Sequence, residues 1–278
     1  MTSAMDTDPT RRGYGPPVDA TERFTELVRR PDGAIPLDEA ALLIAAHARP
    51  GLEVDTQLAR LDDLAAGAPA GPEPSAATAL AQHLFVDLGF AGNRDDYSDP
   101  ANSYLDRVLE RRLGIPITLS VLMIEIGRRN AVPLEPVGMP GHFLVGGAPG
   151  EWFDPFNAGV RLDLAGCARR FAETQGAARL LPEHLEPTPR RRVLERMLSN
   201  LQHVFVPDRS PDAVWVTRLR LALPDLSPST RGQLAALLGE LGQFTEAAAQ
   251  LDVVAGEIPG EGSRRAAAAA TRLRARAN

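Results

Sequence analysis

The stretch PITLSVLMIEIGRR, Pro116 to Arg129, restricts the fold of this chain more than any other. Gly114 closes the helical pattern before it, and Pro116 suits the first turn of a new helix, where a missing N–H costs nothing. Ile117, Leu119, Val121, Leu122, Met123, Ile124 and Ile126 then fall on almost every face. A helix without a solvent stripe has to run through the middle of a domain. With 278 residues the chain is long enough to enclose it in a sizeable core.

What surrounds that helix reads as an α+β plan. Before it, PLDEAALLIAAHARP places Leu37, Ala41, Leu42 and Ala45 on one helical face, and VDTQLARLDDLAAG does the same with Leu58, Leu61 and Ala65. GAPAGPEPSAAT is a Pro/Gly loop, and ALAQHLFVDLGF is a further helix ending near Gly89. In AGNRDDYSDPA, the acidic and amide residues suit turns, with Asn102 or Ser103 capping the helix YLDRVLERRL. After the central helix the period changes. LEPVG, HFLVG and EWFDPF are short, aromatic or β-branched, and separated by Pro and Gly, so two or three antiparallel strands are expected.

From Leu194 the pattern is helical again. GQLAALLGELGQFTEAAAQLDVVAGEIPG resembles the tetratricopeptide pattern, with Ala235, Gly242, Phe244, Ala247 and Pro259 at its spacings. The end of the chain, SRRAAAAATRLRARAN, is helix-prone through alanine, and the first 20 residues read as a polar tail.

Composition narrows the function classes. A formal charge of −6 gives no reason to expect nucleic acid or an anionic membrane as partner. The single cysteine, Cys167, rules out an internal disulfide, and the first residues lack the apolar core of a signal peptide, so a cytoplasmic protein is expected. His47, His83, His184 and His203 have no metal-ligand spacing, and Asn93, Asp95, Asp96 and Asp99 lack the glycine and closing glutamate of a calcium loop. No metal and no cofactor are expected.

The chemistry-bearing residues are His142 and Asp154, on successive strand motifs. A His–Asp pair is two thirds of a nucleophilic triad. In that role Asp154 accepts the Nδ1 proton of His142 and leaves Nε2 facing a cleft as base.

GFAGNRDDYSDPANSYLDRVLERRLGIPITLSVLMIEIGRR, followed by PGHFLV and WFDPFNAG, resembles the SirB1 family of the transglutaminase-like superfamily, over roughly residues 37 to 255. The resemblance implies a cysteine-protease-like core with a nucleophile at the start of the buried helix, then His, then Asp. It divides the chain into a tail over 1–20, a SirB1-like domain over 21–190, a tetratricopeptide-like segment over 191–260 and a terminal helix or tail over 261–278. It also implies a cleft lined by Gly114, Ile115, Pro116 and Ser120 from the helix start, and by Gly141, Trp152 and Asn157 beside the pair.

The departure is at the nucleophile. Transglutaminase-like enzymes place a cysteine at the helix N-terminus, where free N–H groups and the helix dipole lower its pKa. Here that position falls near Pro116. Thr118 is the remaining candidate, needing His142 in direct contact as base. Ser120 is expected to bond back within the helix, and Cys167 to be a small buried apolar residue. The reading favoured is a degenerate cleft that binds or regulates a protein or peptide partner. The alternatives are an amide or ester hydrolase or acyltransferase, using Thr118 or a water activated by His142, and a structural adaptor acting through its C-terminal helices.

Overall fold

The computed structural model describes residues 18–277. Of the tail expected over 1–20, residues 1–17 lie outside the described residues, while Val18 already begins a helix that takes in the rest. In chain order the helices are α1 (Val18–Val28), α2 (Leu37–Ala48), α3 (Val54–Ala66), α4 (Pro74–Gln82), α5 (Leu105–Arg111), α6 (Pro116–Arg129), α7 (Leu164–Gln175), α8 (Arg190–Phe205), α9 (Asp212–Ala222), α10 (Pro228–Glu240), α11 (Phe244–Glu257) and α12 (Gly260–Ala277). Two short strands, β1 (Ala91–Gly92) and β2 (Leu113–Gly114), pair in parallel just before α6. A meander of β3 (Glu135–Val137), β4 (Leu144–Gly146), β5 (Trp152–Asp154) and β6 (Val160–Leu162) forms a 4-stranded antiparallel sheet. The fold is α+β, with one strand more in the meander than the motifs announce.

Helix α6 is buried along its whole apolar length: Leu119, Val121, Leu122, Met123 and Ile126 are fully inaccessible. Burying each such side chain stabilises the fold by roughly 1.5–3 kcal/mol. Its start is fixed by Pro116 at the first helical position and by the Thr118 hydroxyl, which accepts from the Ile115 N–H at 3.2 Å. The helix is not wholly apolar, because Glu125 is fully buried on it. Arg128 Nε donates to Glu125 Oε2 at 2.7 Å and Arg190 to Oε1 at 3.3 Å, while Arg129 pairs with the buried Asp38 of α2 at 2.7 Å. This knot of charge ties α2, α6 and α8 together. Burial, with the Asp38 charge behind it, still raises the Glu125 carboxyl above its ordinary range.

The sheet has two faces, as period-2 strands must. Phe143, Val145 and Phe153 join the large core around α6. Val137, Leu144, Trp152 and Leu162 face the other way, onto Cys167 and Phe171 of α7. The main core does not stop at residue 190: Val193, Leu194 and Met197 of α8 and Trp215, Val216 and Leu219 of α9 belong to it. Beyond α9, successive helices pack pairwise, with Ala247 and Ala248 of α11 and Ala266 and Ala270 of α12 buried.

Candidate functional site

His142 sits in the turn just before β4. Its N–H donates to Met139 O at 3.1 Å, and Gly141 before it has φ +73°, a conformation that favours glycine. Arg196 of α8 locks the turn from behind, donating to His142 O at 3.0 Å and to Met139 O at 3.3 Å, with its guanidinium 5.1 Å from the Phe143 ring centre.

Asp154, the last residue of β5, has no solvent exposure. Its Oδ1 lies 2.9 Å from His142 Nε2 and accepts the Asn157 N–H at 3.3 Å, while Oδ2 accepts from Asn157 Nδ2 at 2.6 Å. Arg170 of α7 completes the shell, its Nε 2.8 Å from Oδ2 as an ion pair without hydrogen-bond alignment. Burial works to raise the Asp154 carboxyl, but the His142 bond and charge, the Asn157 amide and the Arg170 charge outweigh it and hold the group below its ordinary range. Asp154 is thus a buried carboxylate kept ionised by its partners.

The pairing uses the opposite edge of the ring from the one expected. Nε2, not Nδ1, meets Asp154, and Nδ1 has no hydrogen-bond partner among the described residues. Nδ1 is the edge left for a ligand.

A cleft of about 280 Å³ opens beside the pair, and both His142 and Pro116 line it. Gly141 and Asn157 line it too, as the sequence suggests. Residues the sequence reading missed complete it: Arg94, Tyr97 and Phe156 on one side, Arg170, Glu173 and Thr174 on the other. Arg94 bonds to Asn157 Oδ1 and stacks its guanidinium 5.1 Å from the Phe156 centre, and Tyr97 meets Phe156 edge-on at 5.8 Å. Gly92 permits this packing, since a Cβ there would lie 2.4 Å from the Phe156 ring. The adjacent loop is fixed by an amide pair: Asn93 Nδ2 donates to Asn102 Oδ1 at 3.0 Å, and Asn102 Nδ2 to Asp96 O at 2.7 Å. Asn102 therefore ties the loop down rather than capping α5, while Asp99 caps the short turn before that helix. The signal for this wall was present in GNRDDY, read as a turn-rich loop with a rim role left open, and in DPFN, read as a strand-end motif.

Several expected positions fall elsewhere. The Thr118 hydroxyl is fully buried and committed to backbone, donating to Asn102 O at 2.7 Å and accepting from Ile115 N, so it is not poised on His142. Ser120 makes no bond back within the helix: its hydroxyl is buried without a partner among the described residues. It lies one turn below Pro116, out of the cleft lining. Gly114 packs against Thr118 and Leu119, and Ile115 lines a neighbouring cavity. Trp152 is on the α7 face of the sheet, because it alternates with Phe153. Cys167 is fully buried there, and burial, with the Asp163 and Asp154 charges, pushes its thiol up to about 12. Among the described residues no group of His, Cys, Asp and Glu could hold a metal ion.

The family model described as the transglutaminase-like superfamily matches residues 52–199. The chain belongs to that superfamily. The superfamily segment runs from the start of α3 into α8 and contains the whole cleft. A UPF0162 protein of Xylella fastidiosa is 38% identical over 186 residues, which are 63% of this chain and 66% of that protein. One from Vibrio cholerae is 28% identical over 127 residues, 44% of this chain and 47% of that protein. Human F-box only protein 21 is 37% identical over 129 residues, 42% of this chain but 20% of that much longer protein. The chain thus spans just under two thirds of the Xylella relative's length. No solved structure matches. Among the described residues no helix is long and apolar enough to cross a membrane.

Proposed function

We propose that this is a SirB1-type protein whose His142–Asp154 cleft binds a peptide or protein segment without transforming it, in a regulatory role and with no cofactor. Pro116 carries this reading, because it faces the cleft with His142 at the helix start. Proline supplies neither a thiol to attack a carbonyl nor the backbone N–H that a nucleophile's residue would contribute to an oxyanion hole. The hydroxyl of Thr118 is engaged elsewhere and Cys167 is sealed as a neutral thiol. What is left suits recognition. The open Nδ1 of His142 can meet a peptide amide or carbonyl. The Arg94–Phe156–Tyr97 wall offers aromatic and guanidinium groups of the kind that dominate binding hot spots. The C-terminal helices, tetratricopeptide-like in sequence, would add a second protein-facing surface, and a cytoplasmic setting fits the single buried thiol.

One observation favours a second reading. His142 is oriented by an ionised Asp154, and that is the equipment of a base able to activate water for amide or ester hydrolysis. Selection of a random peptide display library on the protein, followed by anisotropy with the selected peptides, separates the two. Binding weakened about tenfold by His142→Ala, roughly 1.4 kcal/mol, with peptides recovered intact by mass spectrometry, is the expected result. Cleavage by the parent protein and not by His142→Ala would replace binding with hydrolysis. Unchanged affinity would move the partner surface to α9–α12, as in an adaptor.

A further inference from the structure

A second cavity, of about 580 Å³ against the cleft's 280 Å³, lies between the loop after β1 and the end of α8. Tyr97 lines both cavities, and the consecutive residues Ile115 and Pro116 face one each. The two spaces are therefore neighbours, adjoining at Tyr97 and at the start of α6. Their charge differs. Arg94 and Arg170 line the smaller compartment, whereas the larger one is lined by Asp96, Asp99 and Asp208 and by no arginine. Asp99 is neutralised by Arg111 at 2.7 Å, but Asp96 and Asp208 form no ion pair among the described residues. Ser103 adds a polar group that opens into this cavity. It is only 4% exposed, lines the cavity, and its hydroxyl has no hydrogen-bond partner among the described residues.

We propose that the larger compartment is a specificity pocket for a cationic side chain, lysine or arginine, on the peptide bound across the His142 cleft. This rests on the peptide-binding reading above. The two unpaired carboxylates would balance the positive charge, and the Ser103 hydroxyl would accept one of its N–H donors. The volume is in the range of pockets that enclose small ligands. Tyr97 would pack on the peptide between the two compartments.

The chain contains no lysine, so an added lysine side chain is unmistakable in mass spectrometry and crosslinking. The probe is acetyl-lysine methylamide, titrated into 15N-labelled protein, with acetyl-norleucine methylamide, acetyl-glutamate methylamide and butylamine alongside it. Expected are saturable shifts at Ser98, Ser103 and His203, with the norleucine and glutamate probes at least about tenfold weaker. Asp96→Asn with Asp208→Asn, both exposed surface changes, should weaken the lysine probe about fivefold or more. Carbodiimide should also crosslink its amine to Asp96 or Asp208. Equal binding of norleucine would make the pocket apolar and overturn the proposal. So would butylamine binding as tightly as the lysine probe, which would indicate a free-amine site. The absence of saturable shifts would overturn it as well. If selected peptides bind the His142 cleft without preferring lysine or arginine, this inference fails and the cleft reading stands. If the lysine probe binds here but peptides are indifferent to His142→Ala, the cleft reading fails.

Discussion

Pro116 brings to the cleft beside His142 neither a nucleophilic side chain nor a backbone N–H. Asp154 holds the rest of the site together, because His142, Asn157 and Arg170 all converge on its carboxylate. Asp154→Ala leaves those partners facing a void and should cost about 3–5 kcal/mol in urea unfolding, as breaking buried pairs does. The pH dependence has a definite sign. The native Asp154 carboxyl titrates below its ordinary value, so as pH falls the unfolded chain binds the proton first. Its stabilisation is complete above about pH 4 and is lost as pH falls through the native value. Asp154→Asn should flatten the stability curve in that acid window, and an unchanged curve would show that the carboxylate is not held this way. Gly92→Ala forces its new methyl into the Phe156 ring. It should cost about 1–3 kcal/mol and weaken peptide binding, with a changed near-UV signal reporting the displaced aromatics. At this scale the sequence was only partly legible. His142 and Asp154 could be paired from their motifs, but the ring edge that makes the bond depends on where the turn before β4 points. Arg94, Tyr97 and Phe156 were hidden because nothing in GNRDDY or DPFN says that these two loops meet.

Among the elements, α6 was the most legible, since its apolar residues on every face leave no place for it but the centre. Leu122→Ala should therefore cost about 2–5 kcal/mol by chemical denaturation, unlike a change on a surface helix. Its buried Glu125 escaped because the Arg190 that pairs with it comes from α8, far away in sequence, and the Arg128 three residues on gives no sign of burial. Trp152 was assigned to the wrong face for a similar reason: alternation states that it opposes Phe153, but not which face covers the cleft. A second junction carries its own prediction. His47 of α2 bonds to Leu43 O at 2.8 Å and Thr21 of α1 at 3.0 Å, and stacks on Trp215 of α9 at 5.4 Å. Burial lowers its native pKa, with the Leu43 bond opposing. As pH falls, the unfolded chain therefore binds the proton first. The contribution of His47 is complete above about pH 6.5 and declines as pH drops through that value. His47→Gln should reduce the fall in urea midpoint between pH 7.5 and pH 5.5, and an equal fall in the variant would assign the effect elsewhere.

For the whole molecule, the order of parts could be read from the sequence: helices, a central buried helix, a small sheet, then helices to the end. The division at residue 190 could not, because periodicity identifies α8 and α9 as helices without showing that their apolar faces close the main core. Stretches similar to this chain occur within proteins of different length, from the Xylella relative to the much longer F-box only protein 21. What the superfamily's core does in this chain turns on whether Pro116 stands where a thiol would face His142. The most direct measurement is the pH dependence of iodoacetamide alkylation in Pro116→Cys, with and without His142→Ala; the native Cys167 is buried and its thiol is pushed up to about 12, so it adds little background. If His142 faces that position, the introduced thiol should titrate below about pH 7 and return towards about 8.5 when His142 is removed. An ordinary thiol, indifferent to His142→Ala, would contradict the placement of Pro116 at the nucleophile's position.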